Sequence, residues 1–183
     1  MIIETVTIEN VGVYGAKTVF NLEPVSPEKP VILIGGLNGR GKTTLRNSIL
    51  TCFHGENAIC TNRGSLTYKK YLSEIIHKKA AADAVASIEI RYRRQLSGKI
   101  QRNRIRRSWW RTEDGVEERF EVFPSFDSQA IEPDVAMATN WAEHIESYFP
   151  SALANLFIFD GEDITRLTCL LYTSPSPREG LLS

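Results

Sequence analysis

ILIGGLNGRGKTTLRNSIL, residues 32–50, sets an apolar run ahead of a glycine-rich loop and a helical pattern behind it. Gly36, Leu37, Asn38, Gly39, Arg40, Gly41, Lys42 and Thr43 satisfy G-x-x-x-x-G-K-S/T in full. Each residue type has a chemical reason. Glycines let the backbone turn its amide N–H groups inward around a phosphate, where a β-carbon would block the approach. The positive end of the helix that begins near Lys42 favours the same anion. Lys42 is placed to neutralise β- and γ-phosphate oxygens, the Thr43 hydroxyl to ligate Mg²⁺, and Thr44 to reach the α-phosphate. The motif predicts a nucleotide-binding loop contacted through Gly36, Asn38, Gly39, Gly41, Lys42, Thr43 and Thr44.

Upstream, residues 31–34 form a short continuous apolar run of the kind a doubly covered central strand shows, after Pro24, Pro27 and Pro30 break regular structure. Residues 2–8 alternate apolar and polar side chains, and Thr18, Val19 and Phe20 offer a partner beyond the turn at 12–15, so the chain opens on a hairpin. Downstream, Leu45, Ile49, Cys52 and Phe53 mark one helical face and Gly55 its end. A polar loop over 57–64 leads to a helix predicted over 65–86, with Tyr68, Leu72, Ile75 and Ile76 on one side. Strands over 85–96, 99–111 and 116–123 follow, joined by turns at Ser97-Gly98 and Glu113-Asp114-Gly115, as an antiparallel meander. An irregular connector spans 124–133. Residues 134–149 then read as an amphipathic helix closed by Pro150, and 156–159 as an apolar strand.

The 183 residues suit one domain of ordinary size and soluble globular composition. Lys plus Arg and Asp plus Glu each number 22, so overall charge points to neither a nucleic-acid nor a membrane partner. No apolar run approaches the roughly 18 residues of a membrane span, and Glu4 stands where a signal peptide would be basic and then apolar. A cytoplasmic location without a membrane partner is expected. Cys52, Cys60 and Cys169 form no C-x-x-C pair, which argues against a disulfide framework and a thiolate zinc site. His54, His77 and His144 lack ligand spacing. From about residue 168 the chain, with CLLYTSPSPREG, looks like translated sequencing-adapter read-through. Residues 1–167 are therefore expected to be the domain and 168–183 a non-native tail.

Charge is uneven locally. Arg91, Arg93, Arg94, Lys99, Arg102, Arg104, Arg106, Arg107 and Arg111 put nine positive charges into 21 residues. Arg102, Arg104 and Arg106 share one strand face, across which a nucleic-acid backbone could meet several guanidinium groups, with Trp109 or Trp110 as a stacking group. The competing reading is a solvated ladder in which Glu89, Glu117, Glu118 and Glu121 pair across the sheet, and this second reading is the favoured one.

Hydrolysis needs more than a phosphate loop: a carboxylate to hold the metal, a group to position water, and a residue to stabilise charge. The nearest candidate is LFIFDGED, residues 156–163. As a Walker B element, Asp160 would hold Mg²⁺ through water, but Gly161 stands where a second carboxylate belongs. As a switch loop, Asp160 or Glu162 would sense the γ-phosphate and metal at the rim of the site. As plain structure, 156–159 would fill the core and Asp160-Gly161 would turn.

IETVTIENVGVYG, GGLNGRGKTTL, NRGSLTYKKYL and LFIFDGEDI occur in this order along the chain. Together they resemble the N-terminal part of the DndD family, the SMC-like ATPases of bacterial DNA phosphorothioation (sulfur modification) systems, over about residues 1–167. The resemblance implies an α/β P-loop NTPase, the N-terminal lobe of an ABC/SMC-type ATPase head, carrying the antiparallel β meander. It implies ATP and Mg²⁺ as cofactors, with Lys42 and Asp160 as catalytic residues and Thr43 and Asp160 toward the metal. Asp160 would take the position of the Q-loop glutamine, from which it departs, and Arg63 would fall in an arginine loop that approaches the phosphates. Arg40 and Asn47 depart from the wider group, where a small residue is usual at the first position and an acidic one frequent at the second. The signature motif, Walker B and catalytic glutamate would lie in a C-terminal half absent from this chain, so the lobe alone is expected to hydrolyse almost no ATP. Implied partners are that half, a second head in a head-to-head homodimer, DNA without sequence preference, and other sulfur-modification proteins. Two rival readings stand beside this one: a double-strand-break-repair SMC-type ATPase, and a non-hydrolysing module in which nucleotide orders a surface for a partner.

Overall fold

Alternation at the N-terminus forms β1, Ile2–Glu9, which turns through Gly12 and pairs antiparallel with β2, Thr18–Asn21. The computed structural model describes residues 1–26, 28–125 and 132–159. Val6 and Ile8 point inward and are fully buried, while Thr5 and Thr7 between and beside them stay partly exposed. The glycine-rich loop opens α1, Lys42–His54, and Gly55, at φ +54°, ends it by donating its N–H to the Thr51 carbonyl.

Next comes α2, Tyr68–Ile75, much shorter than the helix predicted over 65–86. Tertiary contacts end it: Ile76 turns extended to bridge Val11, and the His77 N–H donates to the Asn10 carbonyl at 2.8 Å. The predicted meander is present as β3, Ala86–Leu96, β4, Lys99–Thr112, and β5, Gly115–Ser125. Ser97 and Gly98 both take positive φ, the backbone that a two-residue hairpin turn requires. The sheet runs in the order β2-β1-β3-β4-β5 with every pairing antiparallel.

The helix predicted over 134–149 is two helices, α3, Val135–Thr139, and α4, Trp141–Glu146. Asp134 caps α3 by accepting the Met137 N–H at 2.8 Å. Asn140 breaks the run, its backbone and side-chain amides both bonding the Ala136 carbonyl. The break lets Trp141 donate its Nε1–H to the Phe53 carbonyl at 2.7 Å.

Two predicted strands do not form. Residues 156–159 give the end of α5, Ser151–Phe157, followed by an extended Ile158. A short apolar run suits helix or strand alike, and Pro150 in front of Ser-Ala-Leu-Ala favours the helix. Residues 31–34 lie in no strand, with Val31 84 % and Leu33 93 % exposed. Among the described residues no strand runs beside them, and a strand without a neighbour leaves its N–H and C=O groups to water.

One layer of helices covers one face of the sheet. Ile88, Ile90, Tyr92, Ile105, Trp109 and Val122 meet Leu50, Phe53, Leu72 and Trp141 in a continuous core. Residues 45–54 of α1 are all buried, so this helix is enclosed by the sheet on one side and by α4 and α5 on another. Its far end is held by two donors, Trp141 to the Phe53 carbonyl and Arg107 to the Cys52 carbonyl at 3.4 Å, and Trp109 likewise holds α2 through the Leu72 carbonyl at 3.0 Å. These donors satisfy carbonyls that helix ends leave without partners. Cys52 and Cys60 are free, buried thiols, and burial pushes the Cys52 thiol up to about 12.

Candidate nucleotide-binding site

The site stands at the head of α1. Gly41 caps the helix in a left-handed conformation at φ +97°, with no side-chain cap, and the first turn holds no acidic residue. The backbone N–H groups of Lys42, Thr43 and Thr44 find no carbonyl among the described residues. They form a set of donors facing out of a helix N-terminus, where the dipole favours an anion. Gly39, at φ +76°, turns the loop, and a β-carbon there would meet nothing within 4 Å. Residues 36–40 are exposed.

Lys42 folds back across the loop, its Nζ donating to the Gly36 carbonyl at 2.7 Å and the Leu37 carbonyl at 3.1 Å. The ammonium thus sits over the span from Gly36 to Leu37. Thr43 is exposed and its hydroxyl makes no hydrogen bond among the described residues. Asn38 and Arg40 lie on the same exposed loop.

The loop rests on the turn after β1, a support the sequence reading missed. Tyr14 donates its hydroxyl to the Gly41 carbonyl at 3.1 Å, and burial pushes its pKa up, which keeps the donor protonated. A β-carbon on Gly41 would lie 2.5 Å from that hydroxyl oxygen and 2.6 Å from Val13 Cγ2. One on Gly12 would lie 2.7 Å from Thr44 Cγ2. The Gly12 carbonyl in turn meets His77 Nδ1 at 2.8 Å, and its N–H donates to the Ile75 carbonyl at 2.7 Å. No spacing in the sequence connects Tyr14 with Gly41; their contact follows from folding the hairpin over α1.

The structure gathers Gly36, Asn38, Gly39, Gly41, Lys42, Thr43 and Thr44 into one loop and helix start. Their donor set, the three amides that open α1 with one ammonium and a hydroxyl without a partner among the described residues, fits a magnesium-bound triphosphate. Arg63 is not joined to this loop by any hydrogen bond. Its guanidinium donates to the Glu56 carbonyl and to the Leu66 carbonyl at 3.4 Å, and lies 5.5 Å from the Tyr68 ring centre. Asp160 and Glu162 lie outside the described residues, as do 168–183. Asn47, read as a departure in place of an acid, is buried and hydrogen-bonded to Asn62.

A family model described as an AAA domain matches residues 5–168. The chain belongs to the AAA domain family. It is a P-loop ATPase domain of the SMC-like type, a class that generally uses ATP and Mg²⁺, and its five-stranded antiparallel sheet with the phosphate-loop helix packed on it fits a P-loop NTPase-like lobe. No curated protein matches the chain. Among the described residues no helix is long and apolar enough to cross a membrane.

Away from the phosphate loop, the basic meander divides between two faces. Arg102, Arg104 and Arg106 do share the outer face, opposite the helices. Arg107 does not: it lies inward, paired with Glu118 and 4.3 Å from the Phe120 ring centre. Arg94 bonds Gln101 at 3.0 Å and stacks over Tyr148. Trp109 is buried and Trp110 faces outward beside Arg119. On the outer face Glu4 receives Arg93 at 3.0 Å and Arg102 at 3.3 Å, and Glu89 receives Arg91 at 3.3 Å. Arg104 stacks on Phe123 at 3.9 Å. Arg106 is in register with Glu89 and Glu121 but forms no ion pair with a described residue. The expected cross-strand ladder is therefore partial.

Proposed function

We propose that the chain is the ATP-binding lobe of a DNA-associated SMC-like ATPase that serves DNA phosphorothioate modification. The nucleotide-binding part of this reading is carried by the exposed glycine loop, with Lys42 folded across it and the amides of 42–44 unpaired among the described residues at the head of a helix whose other end is enclosed; the role in DNA modification is supported by the four ordered segments that resemble the family. On binding, Lys42 exchanges the Gly36 and Leu37 carbonyls for phosphate oxygens, the amides of 42–44 hold the same anion, and the Thr43 hydroxyl offers an oxygen to the metal. Magnesium-bound ATP supplies the phosphoryl group whose transfer to water the completed head would accelerate. Val31, Leu33, Leu156 and Phe157, all exposed, support a role as half of a larger unit: a C-terminal half of the same ATPase would cover them. A second head would then close over the nucleotide, and DNA would lie along the outer arginines of the sheet.

The test compares the chain joined to its C-terminal half, with and without Lys42→Ala. Turnover of ATP should fall by about 10²-fold or more in the variant, the usual scale for removing one charge-stabilising donor. Equal turnover would favour the non-hydrolysing, nucleotide-gated module. Mass spectrometry of digested cellular DNA should show phosphorothioate linkages lost in the variant; unchanged linkages with sensitivity to strand breaks would favour the repair ATPase.

A further inference from the structure

α1 carries a charged residue and an amide side by side where it is most enclosed. Arg46 is 7 % and Asn47 2 % exposed. A guanidinium at such a place costs several kcal/mol unless its donors are met. Arg46 donates from Nε to the Ile158 carbonyl at 3.1 Å, from Nη2 to Asn155 Oδ1 at 2.9 Å, and from Nη1 to Asn47 Oδ1 at 3.2 Å. Asn47 passes the connection on, its Nδ2 donating to Asn62 Oδ1 at 2.6 Å and reaching Thr61 Oγ1 at 3.5 Å. One continuous line of side chains therefore runs from the end of α5, through α1, to the loop that holds Arg63.

The placement on the helix is equally specific. Arg46 is four residues after Lys42 and Asn47 four after Thr43, so each lies one turn beneath a residue that the proposed nucleotide would meet. We propose that Arg46 and Asn47 are positioning residues that tie the 151–158 and 60–66 segments to the phosphate loop, so that a γ-phosphate at Lys42 and Thr43 is sensed by both. The proposal rests on the nucleotide reading above. A purely space-filling role would be met as well by an apolar side chain of similar length, since buried ion-type networks often exchange for hydrophobic ones without loss of stability.

The test uses the whole chain carrying Arg46→Met, Arg46→Lys or Asn47→Ala. Without nucleotide, amide hydrogen exchange in Arg46→Met should accelerate at least tenfold at Ile158 and its neighbours in α5. Asn47→Ala should do the same over 60–66, while strand amides of β3 and β4 stay within twofold of wild type. Calorimetry should show the preference for ATP over ADP reduced at least threefold in both variants with ADP affinity unchanged, and partly restored by Arg46→Lys. Unchanged exchange overturns the tether whatever the nucleotide does. Accelerated exchange with an unchanged ATP to ADP ratio overturns its coupling to the γ-phosphate. Absence of any ATP binding by the wild-type chain would instead sink the nucleotide reading, and the exchange comparison would still decide the tether.

Discussion

At Gly41 two demands meet in one residue: a left-handed backbone that starts α1, and room for the Tyr14 hydroxyl above it. Gly39 shares only the left-handed backbone, within the loop and not at the helix start. Gly41→Ala should therefore cost about 1–3 kcal/mol in denaturant unfolding and weaken ATP binding, while Gly39→Ala costs visibly less. Equal costs would mean that Tyr14 does not brace the loop. His54 supplies a second residue-level expectation. Burial is the main cause that pushes its pKa down, helped by Arg107 and opposed by Glu146, whose carboxylate lies 3.7 Å away. The native state thus holds His54 neutral where the unfolded chain would accept a proton. Its contribution is complete above the ordinary histidine value of about 6.5 and is lost as pH falls below it. Urea midpoints measured from pH 7.5 to 5 should decline on the acid side, and His54→Gln should flatten that decline.

Elements differ in how much of their fate is local. The opening hairpin and the meander follow from alternation and from turn residues, because a period of two and a positive-φ pair are properties of a few neighbouring positions. α1 likewise follows from its apolar spacing and its glycine end. The helix predicted over 65–86 stops early because Ile76 and His77 bond the turn after β1, a partner more than sixty residues away. Residues 31–34 have a strand's composition without a strand's neighbour among the described residues. Leu33→Lys should change the stability of this chain by less than about 0.5 kcal/mol, whereas Ile90→Ala, fully buried on β3 in the core, should cost about 2–5 kcal/mol. A large loss from Leu33→Lys in chemical denaturation would show that the run is packed after all.

The molecule as a whole is a sheet with two unlike sides, one covered by helices that carry the nucleotide loop and one studded with arginines. Among the described residues Arg104 and Arg106 pair with no carboxylate, while Arg93 and Arg102 share Glu4. If the outer side takes a phosphate backbone, Arg106→Gln should weaken binding to unrelated duplexes alike and reduce the log–log salt slope by about 1 in fluorescence anisotropy. A slope equal to that of the wild type would leave the arginines as surface charge. The phosphate loop, the helix it opens and the hairpins are legible from the residues alone, since each depends on positions within a turn or two of one another. That Arg107 turns inward, that Tyr14 supports Gly41, that Arg46 spans to Ile158, and that residues 31–34 pair with no strand among the described residues emerges only in the folded chain. Those outcomes depend on which surfaces meet, and periodicity along a chain carries no record of the neighbour a side chain will find in space.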